Sequence, residues 1–352
     1  MTALRILHVV RSDRFAGVEQ FVRRLAIAQA AAGHTVWVAG GSEADMRGTL
    51  QQSGVRYRPA ARAGEVAHAV RKLGSGADVI NAHMTAADVE AVIAATGLRR
   101  RPALVATRHF TRQRGSRAPG SLFRAVERRL DAELSISDAV AAAINVPSTV
   151  VYSGVETPPR PPAADRVPIV LMAQRLQPEK RTDVGIRAFA ESGLAAHGWM
   201  LQIAGDGPER PQLEGLAAQL GVGSATQFLG FRNDVSELMA RAGMLLAPCP
   251  VEGLGLSVLE AMALALPVVA ADAGGHSSLL ADLDERALFW PDDAGHAAAQ
   301  LHALGHDADG RDTLGIAERE RQSERFSIET WRAGTDAVYR RAIAIRAGAS
   351  GQ

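Results

Sequence analysis

Met244-Leu245-Leu246-Ala247-Pro248-Cys249-Pro250-Val251-Glu252-Gly253-Leu254-Gly255-Leu256-Ser257-Val258-Leu259-Glu260-Ala261-Met262 begins as a short apolar run and passes through a turn broken by two prolines and two glycines. It then takes up helical spacing, so it reads as strand, loop and helix. Glycines at such a turn let backbone N–H groups approach an anion, and the helix N-terminus adds positive potential suited to phosphate. Glu252 lies in the turn and Glu260 early in the helix. Carboxylates are poor phosphate ligands but good acceptors for sugar hydroxyls. A turn carrying two solvated glutamates has the same spacing, so spacing alone leaves both readings open.

The same unit repeats in both directions. Before it, strands are expected at Arg5–Val10, Thr35–Ala39, Asp78–Ala82, Ala103–Thr107, Ala132–Ile136 and Thr149–Tyr152, and again at Pro168–Met172, Met200–Ala204 and Gln227–Leu229. After it come Pro267–Ala270 and Ala287–Phe289. Helical periodicity fills the intervals, as at Val18–Ala31, where Gly33 stands in a C-cap position, and at Arg181–Ala190 and Arg210–Leu220. Alternation of this kind predicts parallel sheets wound on both faces. Thr157–Ala164, the most proline-dense segment, reads as a semi-rigid linker between two such domains. Ligands of parallel α/β sheets sit beyond the carboxyl ends of the strands, so a substrate in a cleft between the domains is expected.

Length and composition narrow the function. The 352 residues fit two domains, with 47% hydrophobic residues for their cores. The lone Cys249 cannot form an internal disulfide, no signal-peptide pattern is present, and no apolar run is long enough to cross a membrane, which together predict a cytoplasmic protein. The net charge of +1 conceals +9 on residues 1–154 and −8 on the remainder. Ten arginines and one acid lie between Arg99 and Arg129. That field suits an anionic or lipid-linked acceptor, or peripheral contact with the inner face of a membrane, through Arg112, Arg114 and Arg117, rather than a nucleic acid.

Met172-Ala173-Gln174-Arg175-Leu176-Gln177-Pro178-Glu179-Lys180 presents two cations five residues apart on a strand-to-helix loop, a spacing that can clamp a diphosphate. Only Lys72 and Lys180 interrupt an otherwise all-arginine set of cations, which hints that Lys180 is needed as an ammonium. Gly205-Asp206-Gly207-Pro208 forms a glycine turn at a strand end, but the G-x-G-x-x-G of dinucleotide oxidoreductases is absent. Neither H-E-x-x-H nor C-x-x-C occurs, so no metal is expected.

Glu252 and Glu260 form an E-x7-E pair, and Glu-Gly-Leu-Gly-Leu-Ser-Val-Leu-Glu-Ala-Met, followed by Pro267-Val268-Val269-Ala270 and Gly274-Gly275, resembles the nucleotide-sugar signature of glycosyltransferase family 4. The resemblance implies a GT-B fold of two Rossmann-like doubly wound domains. Residues 1–157 would hold the acceptor, residues 158–334 the nucleotide-sugar, and a last helix at about 335–352 would cross back. It further implies that Glu260 binds the donor ribose and that Glu252 binds hydroxyls of the transferred sugar. The backbone of Gly253, Leu254, Gly255 and Leu256 would lie near sugar and diphosphate, with Arg175 and Lys180 on the diphosphate. Gln174 replaces a family glycine. Gly205 and Gly207 lie near the nucleotide in the family, and Phe15-Ala16-Gly17-Val18-Glu19 resembles its Gly-Gly-x-Glu loop, with Gly17 approaching the donor phosphate. His109, at a strand end, matches a family histidine that contacts the transferred sugar, and His83 holds a similar place. The expected activity is metal-independent, retaining transfer from a nucleotide-diphosphate sugar to an acceptor hydroxyl. It would serve cell-surface glycan, glycolipid or glycosylated-metabolite synthesis. The alternatives are a nucleotide-sugar epimerase or hydrolase on the same fold, and a non-catalytic sugar-binding protein.

Overall fold

The computed structural model describes residues 2–112, 120–144 and 146–349. It divides into two compact units, Met1–Ser153 with Ile328–Gln352, and Gly154–Ser327. Unit 1 alternates β1 (Arg5–Val10), α1 (Gly17–Ala31), β2 (Thr35–Ala39), α2 (Glu43–Gln52), β3 (Arg56–Arg58), α3 (Glu65–Leu73), β4 (Val79–His83) and α4 (Thr85–Ala95). It continues with β5 (Ala103–Arg108), α5 (Gly120–Glu127), β6 (Ala132–Ser135), α6 (Asp138–Ala143) and β7 (Thr149–Val150). Unit 2 runs through β8 (Ile169–Ala173), α7 (Thr182–Glu191), β9 (Met200–Ala204), α8 (Arg210–Gln219), β10 (Thr226–Gly230), α9 (Val235–Arg241) and β11 (Met244–Ala247). There follow α10 (Leu256–Ala263), β12 (Val268–Ala271), α11 (Gly275–Leu280), β13 (Leu288–Phe289), α12 (Ala294–His306) and α13 (Ala308–Arg325). The final helix, α14 (Ile328–Ala349), returns to unit 1.

Both sheets are parallel, ordered β3-β2-β1-β4-β5-β6-β7 and β10-β9-β8-β11-β12-β13. In each, the winding reverses beside the first strand, between β1 and β4 and between β8 and β11. β3 escapes a search for apolar runs because Arg56-Tyr57-Arg58 buries only its tyrosine at the sheet edge. Gly33 takes a left-handed φ of 88° just after α1, as a C-cap glycine should.

In unit 1, alternate strand residues serve different cores. Leu7, Val9, Ile80 and Leu104 pack with α3 and α4, whereas Ile6, Val79, Ala103 and Val105 pack beneath Val338, Tyr339 and Ala342 of α14. Trp331, only 2% exposed, adds an edge-on contact to Phe21 of α1, ring centroids 4.5 Å apart.

The boundary between units does not lie in the proline-rich segment. Thr157 Oγ1 donates to Gln322 Oε1 (2.9 Å), the Arg319 guanidinium donates to the Pro158 carbonyl (2.7 Å), and Arg160 pairs with Asp312. A proline-rich run has few N–H groups with which to pair its own carbonyls, and α13 meets it with one donor, Arg319, and two acceptors, Gln322 and Asp312. The segment is therefore fastened to unit 2 rather than bridging to it, and the observed boundaries are Ser153/Gly154 and Ser327/Ile328.

Because α14 closes one face of the first sheet, Trp331→Ala should cost about 3–5 kcal/mol. Chemical denaturation should show the loss in unit 1, with unit 2 ligand binding retained.

Candidate active site

The reversal in unit 2 opens a gap between two strand-to-helix loops, 174–181 after β8 and 248–255 after β11. Lys180 Nζ donates to Glu252 Oε2 across it. The side chains are 16% and 26% exposed, so this is a shielded pair and not a solvated one. Burial pushes the Glu252 carboxyl up, but the charge and hydrogen bond of Lys180 outweigh it and hold the group below the ordinary carboxylate range. Gln174, which replaces the family glycine, braces this loop: its Nε2 donates to the Lys180 carbonyl (3.0 Å) and to Thr182 Oγ1 (2.9 Å). The Arg175 side chain is 64% exposed and its guanidinium lies 3.7 Å from Glu179 Oε1, a solvated and loosely opposed cation. Cys249 is no nucleophile: burial pushes its thiol up to about 11, and Sγ donates to the Glu179 carbonyl.

Gly255 at the N-cap has no side chain to cap α10, and this helix begins at the end of the loop that carries Glu252. Ser257 Oγ donates to the Ala173 carbonyl (3.0 Å) and fixes this helix start to the end of β8. Glu260 is half-buried in the second turn. Gly255 has φ 101°, and a Cβ there would lie 2.8 Å from the His276 ring. A Cβ on Gly275 would lie 2.1 Å from Leu254 Cα, and the Gly275 N–H donates to the Glu252 carbonyl (2.9 Å). The Gly274-Gly275 pair thus lets the loop after β12 brace the Glu252–Leu254 turn. His276 was not among the expected site residues. It is buried under Gly255, its Nδ1 without a hydrogen-bond partner among the described residues. Burial lowers its pKa, an effect the Glu252 charge opposes. Its one sequence signal was its place directly after that glycine pair.

Gly205 and Gly207 have an internal reason to be glycine. A Cβ at Gly205 would lie 1.8 Å from the Gln174 carbonyl oxygen, and one at Gly207 would lie 2.2 Å from that of Leu176. They allow the turn after β9 to press on the Arg175 loop, which the Leu176 N–H seals by donating to the Asp206 carbonyl (3.0 Å).

In unit 1, Gly17 starts α1 with nothing within 4 Å of where a Cβ would stand, and the buried Glu19 carboxylate accepts the Ala16 N–H (2.9 Å). His109 follows β5 and is 8% exposed. Its Nε2 lies 3.0 Å from His83 Nδ1, and His83 Nε2 lies 3.1 Å from His8 Nδ1. Phe21 stands edge-on to His109 at 4.6 Å. Burial keeps all three imidazoles neutral, lowering His109 to about 3 and His8 to about 4, with His83 well below its usual value. His109 lines a cavity of about 290 Å³ with Met84, Thr85, Asp88, Phe110 and Arg112. Arg112 is exposed, and its carbonyl accepts from the Arg108 guanidinium (3.0 Å). Arg114 and Arg117 lie outside the described residues. Among the described residues, no helix is long and apolar enough to cross a membrane.

Comparison with known proteins gives this geometry its kin. Residues 156–321 match the family described as Glycosyl transferases group 1, and residues 15–157 match Glycosyltransferase Family 4. The chain is 30% identical over 235 residues to the lipopolysaccharide core biosynthesis mannosyltransferase LpsB of Rhizobium meliloti, covering 60% of this chain and 66% of that protein. Over 104 residues it is 42% identical to the lipopolysaccharide glucosyltransferase WaaG of Escherichia coli, covering 29% of this chain and 28% of the other. Across these and other curated relatives, the matched part spans between 15% and 66% of the relative's own length. The crystal structure of Anabaena Alr3699/HepE in complex with UDP and glucose superposes with a TM-score of 0.79 at 20% identity, covering 95% of this chain and 99% of that one. With two adjoining family matches that together run from residue 15 to residue 321, and with two Rossmann-like parallel sheets, the chain belongs to glycosyltransferase family 4 and has its GT-B fold.

Proposed function

We propose that this chain is a retaining, metal-independent glycosyltransferase that moves a sugar from a nucleotide-diphosphate sugar to an acceptor hydroxyl in glycan or glycolipid synthesis. The observation that carries the reading is the shielded Lys180–Glu252 pair at the strand-order reversal, beside an uncapped helix start. An ammonium has three donors. Lys180 can hold Glu252 with one and a diphosphate oxygen with another, while the α10 amides and Arg175 take the remaining charge. Glu252, kept ionised by Lys180, is left to accept hydroxyl protons from the transferred sugar. Glu260 accepts from the ribose. In the step itself, the bond from the anomeric carbon to the diphosphate breaks and a bond to the acceptor oxygen forms on the same face. The acceptor proton passes to the departing diphosphate oxygen. Stabilising the charge that develops on that oxygen is the main demand on the protein. The acceptor lies with unit 1, where the basic segment around Arg112 suits an anionic or lipid-linked molecule.

The Anabaena neighbour holds UDP and glucose, which puts UDP-glucose first among the donors to test. In a thermal-shift screen of UDP-, GDP-, ADP- and dTDP-sugars, the true donor at 100 times its Kd should add about 2.7 kcal/mol of stability. No shift with any of them would refute the reading. Proton NMR of the product should show the anomeric configuration of the donor, and inversion would overturn the retaining assignment.

Lys180→Met should lower kcat by roughly 10²–10³-fold. It should also change the pH profile in a fixed direction. Without Lys180 the burial of Glu252, which raises its pKa, is opposed only by the smaller effects of His276 and Cys249, so the acid limb of kcat/KM should move to higher pH. An unmoved limb would show that Glu252 does not need the lysine.

A further inference from the structure

The face of the first sheet that carries α14 holds a polar stripe at its carboxyl end. His8 follows Ile6 on that face, Asn81 and His83 follow Val79, and Thr107 and His109 follow Val105. Every hydrogen bond that links Asp336 to His109 along the stripe has a forced direction, and the forcing begins at α14. The Leu4 N–H donates to His34 Nδ1 (3.0 Å), so His34 carries its proton on Nε2 and gives it to Asp336 Oδ2 (3.0 Å). Arg332 donates to the same oxygen (2.7 Å). The other oxygen, Oδ1, accepts from Gln29 Nε2 (2.9 Å). A carboxylate only accepts, so the amide oxygen of Gln29 must face His8, which donates from Nε2 (2.8 Å). His8 Nδ1 is then bare and accepts from His83 Nε2, and His83 Nδ1 in turn accepts from His109 Nε2. Each ring is neutral and has one N–H, so the direction passes along without branching. His109 ends the chain with its Nδ1 unprotonated, and no described residue donates to that atom.

We propose that Asp336, acting through Gln29, His8 and His83, sets the tautomer of His109 so that a bare Nδ1 meets a hydroxyl of the substrate. The kinetic arm of this proposal rests on the transferase reading above; the structural arm does not. Gln29 decides that the chain orients and does not conduct. Its amide accepts on one atom and donates from another, so no proton can hop through it to Asp336. His109 therefore serves as an acceptor for a sugar hydroxyl, and Asp336, Gln29, His8 and His83 are positioning residues.

Asp336→Asn keeps the shape of the side chain and inverts the instruction. The amide oxygen of Asn would take the place that accepts from His34 and Arg332, and its NH₂ would face Gln29. Gln29 must then turn its own oxygen toward residue 336 and its NH₂ toward His8, which reverses every ring. The full chain, labelled with ¹⁵N-histidine, is read at pH 7 by two-bond ¹H–¹⁵N correlation. Wild type should show His8, His83 and His109 protonated on Nε2, and Asp336→Asn should show all three protonated on Nδ1. The variant should also lose roughly 10- to 100-fold in kcat/KM with its donor-induced thermal shift intact. Any of the three rings on the other tautomer in wild type would overturn the proposal, and this measurement decides even if the variant does not fold. Unchanged rings in a folded variant would overturn it too, as would swapped rings with unchanged kinetics. If wild type transfers no sugar, the transferase reading fails, and the ring tautomers still test the relay.

Discussion

Everything functional in this chain hangs on one property of a parallel sheet, that its strands all end on the same edge. Each crossover returns the chain to the opposite edge, so every strand-to-helix loop of a unit gathers at the carboxyl ends. Where the winding reverses, the two flanking loops diverge to opposite faces and leave a gap that no helix fills. Unit 2 places Lys180 and Glu252 across that gap, 72 positions apart in sequence. Unit 1 places His8 and His83 beside its own gap, 75 positions apart. The two units thus use the same topological feature for different chemistry, an ion pair in one and a neutral imidazole pair in the other.

The ion pair alters what the local charge means. Lys180 and Arg175 look equivalent as cations on one loop, but their surroundings separate them. Lys180 is neutralised by Glu252 in a shielded setting, whereas Arg175 is solvated and only loosely opposed by Glu179. An anion arriving at this loop meets a solvated guanidinium, the start of a helix with no side-chain cap and an ammonium already half-committed. That suits a ligand carrying both phosphates and hydroxyls, since Lys180 can bind an anion without releasing Glu252 and Glu252 stays ionised to accept hydroxyl protons. The compact ammonium fits such a shared position better than a planar fork would.

Local signals were enough to read most of the fold. Apolar runs bounded by glycine and proline located nearly every strand, because buried parallel strands are continuously apolar. Arg56–Arg58 lacked that signal, since an edge strand needs one buried residue and not four. The proline-rich segment was legible as extended chain but not as bound chain, because the side chains that hold it, the donor Arg319 and the acceptor Gln322, come from a helix some 160 positions away. At the site, the motif residues stood out through their resemblance to the family signature and not through spacing alone, and their pairing was not legible. Sequence suggested that Lys180 and Glu252 would each serve a ligand, not that one would hold the other. His276 gave only a positional hint, and Gln29 and Asp336 gave none, since a polar residue on an otherwise amphipathic helix reads as a solvated face until the partner across the core is known.

The stripe in unit 1 shows why such residues are not interchangeable with the apolar ones around them. Burying a polar group without its hydrogen bond costs about 1–3 kcal/mol. The stripe avoids that cost because each donor has its acceptor: Thr107 Oγ1 to Asn81 (2.9 Å), Asn81 to Tyr339 Oη (2.6 Å), and the imidazoles to one another. Leucine or isoleucine could fill the same volume on this face, as Ile6, Val79 and Val105 do one step along each strand. A polar stripe therefore adds nothing to cohesion that an apolar one lacks. It adds direction, and direction matters only where the sequence of donors and acceptors ends. One end is Asp336, satisfied by His34, Arg332 and Gln29. The other is His109, which lines the cavity. Since α14 supplies Asp336, this helix both closes the hydrophobic face of the first sheet and anchors the hydrogen bonds that run to the histidine lining that cavity.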